Sequence, residues 1–139
     1  MPYKTIISAE DLKNNIDNKD FIIFDSRCDI KDRGYGIDSY TEGHIPNSIF
    51  VDVDTDLASE KQQGTGRHPL PKVETFCDKL SHWGMDNNKQ AVIYDDAGGA
   101  FAGRMWWMLK WLGHENVAVL DGGLNSWVKN GNKLVTSPT

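Results

Sequence analysis

Two cysteines, four histidines and the aspartates of Asp52-Val53-Asp54 and Asp95-Asp96 are the residues of this 139-residue chain best suited to chemistry. A thiolate is a nucleophile and a soft metal ligand, and an imidazole moves protons near neutral pH. Cys28 lies just past the apolar run Phe21–Phe24 and its terminal Asp25, with Arg33 five positions beyond. A cation there could lower a thiol pKa, but the pair is one residue short of the Cys-x5-Arg spacing that cradles oxyanions. No helix-period pattern starts there either, so Cys28 is expected to be a loop or strand-end thiol. Cys77, between Phe76 and Leu80 on a helix-period apolar face, is expected to be a packing residue. There is no CxxC and no Cys/His set at zinc-ligand spacing, which argues against a disulfide framework or structural zinc. Asp52, Asp54, His44 and His68 could in principle gather a metal, yet nothing in their spacing demands one. No metal and no cofactor is expected.

Several elements must position these groups. Ser8 with Asp11 three residues on reads as a helix start, and Leu12 and Ile16 share one face. Phe21–Phe24, Ile49–Val51, Ala91–Tyr94 and Val117–Leu120 are short continuous apolar runs, the pattern of strands buried on both faces of a parallel sheet. Residues 29–40 are charged, with Gly34 and Gly36 as turn signals, and residues 55–71 read as a long polar loop, a length that is usually functional or mobile. Val73, Phe76, Cys77, Leu80 and Trp83 repeat at helical spacing. Asp95–Gly99 is an acidic, glycine-bearing turn that opens a helix over Ala100–Leu112, and Asp121-Gly122-Gly123 turns into a last helix carrying Trp127. Strands alternating with helices predict an α/β fold, a single domain over residues 1–131 with a mostly parallel sheet of about five strands and helices on both faces. Residues 132–139 are expected to begin an interdomain linker or tail.

A net charge of −5 and a pI near 5.2, without any basic run, argue against a nucleic-acid surface. The longest apolar stretch, Met105–Leu112, is broken by Lys110 and is too short to span a bilayer. Residues 1–20 are polar and acidic, unlike a signal peptide, so a cytoplasmic protein without membrane contact is expected.

Four blocks in order carry a family resemblance. Asp25-Ser26-Arg27 followed by Tyr40-x-x-Gly43-His44-Ile45-Pro46 resembles the first rhodanese signature, and Asp121-Gly122-Gly123-x-x-x-Trp127 the second. Between them, Gly66-Arg67-His68-Pro69-Leu70-Pro71 and the stretch from Tyr94 to Trp107 resemble the first domain of two-domain thiosulfate and 3-mercaptopyruvate sulfurtransferases. The likeness runs from about Ser8 to Leu134. Asn47 departs from the family's usual glycine after the proline. A second departure bears on the reaction. In active rhodanese domains the strand matching Ala91–Tyr94 is followed by a nucleophilic cysteine, at the base of a loop of backbone N–H groups. Here Asp95 holds that position, with Asp96 beside it.

The resemblance implies transfer of a sulfane sulfur through a cysteine persulfide, drawn from a small anionic donor. A carboxylate cannot carry that sulfur, and two would repel the donor, so Asp95, Asp96, Ala97, Gly98 and Gly99 read as a degenerate active-site loop. The catalytic cysteine is expected on a second, carboxy-terminal rhodanese domain, the partner of this one. The family's first domain is similar in supplying an acid and a histidine to the interdomain cleft; by motif position these are Asp54 and His68, with Arg67 a candidate for attracting the anion. The resemblance leaves both thiosulfate and 3-mercaptopyruvate as donors. The rival expectation is a stand-alone inactive module that docks a partner. Structural roles are expected elsewhere: His44 bonded to the backbone of its turn, Asp25 paired with Arg27, Trp106 and Trp107 in core or domain-interface packing, Arg104 paired with Asp95 or Asp96.

Overall fold

The computed structural model describes residues 3–29, 32, 34–53, 56, 73–86 and 88–136. The elements run β1 (Ile6–Ile7), α1 (Ala9–Asn14), β2 (Phe21–Asp25), α2 (Tyr35–Glu42), β3 (Ser48–Phe50), α3 (Val73–His82), β4 (Gln90–Tyr94), α4 (Ala100–Trp111), β5 (Val117–Leu120) and α5 (Gly123–Lys129). The five strands form one sheet, ordered β1-β5-β4-β2-β3, and every pairing is parallel. β2 and β4 are the centre, in register from Phe21 opposite Gln90 to Asp25 opposite Tyr94. The fold is the expected α/β architecture.

Side chains alternate between the sheet's faces, and each face has its own core. Ile22, Phe24, Ala91, Ile93 and Val117 pack with Phe76 and Leu80 of α3 and Met105, Met108 and Leu109 of α4. Ile23, Val92, Tyr94 and Ala118 pack with Leu12 of α1 and Leu124 and Trp127 of α5. This double burial explains why the strands read as unbroken apolar runs. Ser8 caps α1 as its spacing predicts, its Oγ accepting from the Asp11 N–H at 3.1 Å.

Two local expectations are corrected and one strand is added. Residues 35–42, expected to turn at Gly36, form α2. Gly36 is there for close approach: a Cβ would lie 2.3 Å from the Arg27 carbonyl and 3.0 Å from the Phe50 ring. The edge strand β1 escaped the sequence reading because two residues carry no periodicity. Cys77 is exposed rather than packed. The buried side of α3 is Phe76 and Leu80, and a residue directly after Phe76 turns about 100° away from it. Past Gly131 the chain stays on the domain: Val135 forms an antiparallel bridge with His44, with both N–H to O bonds made, at 2.9 and 2.8 Å. Among the described residues no helix is long and apolar enough to cross a membrane.

Candidate functional site

Ligand sites of open parallel sheets lie beyond the carboxyl ends of the strands. Here β2, β4 and β5 end in Asp25, Tyr94 and Leu120 and deliver three polar segments to that edge.

The loop after β4 winds around its own first side chain. Asp95 is 1% exposed, and its carboxylate accepts hydrogen bonds from four backbone N–H groups: Ala97 at 3.0 Å and Gly99, Phe101 and Ala102 at 2.9 Å. Gly98 and Gly99 both take left-handed φ, 71° and 94°, which curls the loop so that these amides converge. The two amides from α4 are among those a helix start leaves without partners, and the cap residue Gly99 has no side chain to meet them. Asp95 meets them instead, and a negative charge there also suits the helix dipole.

The second glycine-bearing turn locks onto the first. The Leu124 N–H donates to the Asp95 carbonyl at 3.0 Å. A Cβ on Gly123 would come within 2.5 Å of that carbonyl, so the Asp-Gly-Gly block needs its second glycine for contact with the Asp95 loop. Ile6, Asp96, Gly98, Gly99, Asp121, Gly122 and Asn125 line a cleft of about 250 Å³ between the two turns. Asp96 is half-buried and accepts a short hydrogen bond from the Tyr35 hydroxyl of α2. That bond, with lesser help from burial, raises the Tyr35 pKa above its ordinary value.

Beside this loop, under the end of β2, lies a different polar centre. Arg27 grips Asp25 with two nitrogens: Nη2 at 2.7 Å from Oδ2, and Nε at 3.1 and 3.0 Å from the two oxygens. Nη2 also donates to the Gly43 carbonyl at 2.7 Å. The Tyr94 hydroxyl donates to Asp25 at 2.9 Å and accepts from the Ile45 N–H at 3.1 Å; Ser48 Oγ lies 3.0 Å from it and is left as the donor. Burial and then the Asp25 charge push the Tyr94 pKa well above its ordinary value. Burial pulls the Arg27 guanidinium down, but Asp25 outweighs it and the net shift is upward. His44 stacks on Tyr40, ring centroids 3.8 Å apart, with Nδ1 2.8 Å from the Tyr40 carbonyl. These are the structural roles expected for Asp25, Arg27 and His44, and the first signature is the wiring of this centre.

The structure brings Asp95, Asp96, Gly98 and Gly99 together at one cleft. Asp54, Arg67 and His68 lie outside the described residues. Cys28 is half-buried against the α3/α4 core. At the loop itself four amides take up Asp95, and Tyr35 bonds to Asp96. Among the described residues no group of three His, Cys, Asp or Glu gathers as a metal site. Sequence reasoning missed Tyr35, whose partner is 61 residues away, and Trp111, which i,i+4 spacing from Trp107 could have found. Trp106 packs inward, its Nε1–H pointing at the Lys4 and Val117 carbonyls at 3.0 and 3.1 Å, whereas Trp107 is exposed and stacks on Trp111.

Comparison with known families gives a match to the rhodanese-like domain over residues 8–130. The chain belongs to the rhodanese-like domain family. It is 42% identical over 124 residues to a probable 3-mercaptopyruvate sulfurtransferase of Pseudomonas aeruginosa, covering 88% of this chain and 44% of that one. A putative thiosulfate sulfurtransferase, SseB, of Mycobacterium tuberculosis is 34% identical over 134 residues, 96% of this chain and 47% of the other. Among solved structures, the 3-mercaptopyruvate sulfurtransferase of Leishmania major superposes with a TM-score of 0.89 at 29% identity, covering 98% of this rhodanese-like chain and 37% of the relative. The chain thus spans about half the length, or less, of these relatives.

Proposed function

We propose that this rhodanese-like domain is the half of a two-domain thiosulfate or 3-mercaptopyruvate sulfurtransferase that does not itself carry sulfur. The observation that carries the reading is Asp95. It stands where a sulfur-bearing cysteine would stand, and its carboxylate occupies the ring of amides that would stabilise a thiolate or persulfide. The chain's span of under half its relatives supports a second domain, which bears the cysteine. In this reading the reaction runs in two displacements. The second domain's thiolate attacks the outer sulfur of thiosulfate or the thiol sulfur of 3-mercaptopyruvate, releasing sulfite or pyruvate and leaving a persulfide. An acceptor nucleophile then takes the outer sulfur and returns the thiolate. The present domain closes the cleft and supplies groups to it. Asp54 and His68 are our candidates for a carboxylate that orients an imidazole and an imidazole that relays protons, with Arg67 drawing in the anion.

The test is intact-mass spectrometry of the 139-residue chain after incubation with thiosulfate or 3-mercaptopyruvate. No gain of a sulfur atom at Cys28 or Cys77 is expected. A stoichiometric persulfide on either thiol overturns the reading.

A further inference from the structure

Helices α3 and α4 share one core, and in an all-parallel sheet each returns the chain to the edge where strands begin. Their carboxyl ends therefore lie at the end of the domain opposite the Asp95 loop. Between them is a cavity of about 180 Å³, open to solvent. Leu80 of α3, Met85 in the turn beyond it, and Leu109 and Leu112 at the end of α4 form its apolar wall. Leu80 and Leu109 belong to the buried core, while Met85 and Leu112 are half-buried. A cavity of about 150 Å³ with aliphatic walls is enough to hold one benzene ring. Apolar walls with a few placed polar groups are the general make-up of small-molecule sites.

The polar groups select the occupant, because its charged and basic members accept rather than donate. Asp86 is exposed, and its carboxylate retains accepting capacity after Oδ1 takes the Asn88 N–H at 2.8 Å. His114 Nε2 lies 3.0 and 3.1 Å from the Lys89 and Asn116 carbonyls. Neither carbonyl can donate, so Nε2 carries the proton of the neutral ring and Nδ1 is left as an acceptor. Two helices also end here, and helix carboxyl ends carry partial negative charge. Among the described residues no lysine or arginine lines the cavity. The lysines nearby in sequence are engaged elsewhere: Lys79 with Asp56, and Lys89 and Lys110 with the Gly84 and Glu115 carbonyls. We propose that this cavity binds a small primary amine with a hydrocarbon body. The body lies among Leu80, Met85, Leu109 and Leu112, and the ammonium group faces Asp86 and His114. The inference is independent of the two-domain reading, since every residue it uses belongs to this domain.

The test titrates benzylamine, a protonated amine at neutral pH, into the natural full-length protein labelled with 13C at its methionine methyl groups. An aromatic ring entering the cavity shifts the Met85 methyl resonance, which a Met85→Leu variant assigns. The expected result is a Met85 shift that saturates at millimolar benzylamine, while Met105 and Met108, fully buried in the core, stay where they are. Benzoate, the same ring with an anionic head, is expected to leave Met85 unmoved. Asp86→Asn keeps the oxygen that meets the Asn88 N–H. It should raise the benzylamine midpoint about threefold, as for loss of a solvated ion pair. No shift with benzylamine, or an equal one with benzoate, overturns the proposal. A Met85 resonance that moves with protein concentration before any amine is added assigns the cavity to a second copy and also overturns it.

Discussion

Asp25 and Asp95 are both buried acids at the carboxyl ends of neighbouring strands, and the fold satisfies them by opposite means. Asp25 is held mainly by side chains, the Arg27 fork and the Tyr94 hydroxyl, with one main-chain bond from the Arg27 N–H at 3.0 Å. Asp95 is held by main chain, four amides that the loop and the start of α4 present whatever residues they belong to. The first arrangement ties identity to stability, because changing one member strands another in the core. The second separates them: the cradle is made by backbone shape, so the residue at its centre can change while the fold persists.

The largest effect is expected at the side-chain centre. Arg27→Ala leaves the Asp25 carboxylate buried without its cation and should cost about 3–5 kcal/mol, measured by urea unfolding. A loss below about 1 kcal/mol would mean that water or Tyr94 compensates the charge. Asp95→Ala removes the acceptor of four amides, three of them half-buried and open to water once the carboxylate is gone, and only that of Ala102 fully buried. A cost of about 1–2 kcal/mol is expected, in the range of a lost helix cap, with the fraying confined by hydrogen exchange to residues 97–102. Equal costs at the two sites would erase the contrast between them.

Alkaline pH reaches the first centre through Tyr94. Its folded-state pKa lies above that of the unfolded chain, so the folded state keeps the proton longer. The stability this contributes is whole below the unfolded tyrosine pKa and is lost as pH rises through the folded value. The urea midpoint should therefore fall from pH 9 upward through pH 11, and Tyr94→Phe should flatten that fall. An unchanged slope in the variant would assign it to the other tyrosines. The smallest effect belongs to Cys77: Cys77→Ser should shift stability by less than about 0.5 kcal/mol, as for an exposed site.

How much of this was legible in the sequence follows the same division. Apolar runs showed β2, β4 and β5 because both faces of the sheet are covered, and the Ser8 cap is encoded within four residues. The contact of Gly123 with the Asp95 carbonyl is written in two blocks 28 residues apart that the family likeness singled out, but only the folded chain shows them touching. Helix α2 was hidden by Gly36, a residue that signals a turn and here serves close packing. Cys77 was misassigned because an apolar face at helical spacing has edges, and one residue's rotation decides which side a thiol takes. Asp54, Arg67 and His68 stand on the family likeness.

The comparison of the two centres sharpens in a sulfur-transfer assay of the purified chain, beside Cys28→Ser, Cys77→Ser and Asp95→Cys variants, with thiosulfate and 3-mercaptopyruvate as donors. The account predicts no transfer by the native chain above the level of the double serine variant. It also predicts that Asp95→Cys gains a thiol titrating below the ordinary value of about 8.5 and open to persulfidation. Transfer by the native chain that disappears with Cys28 would contradict the account and make this domain an enzyme with a relocated nucleophile.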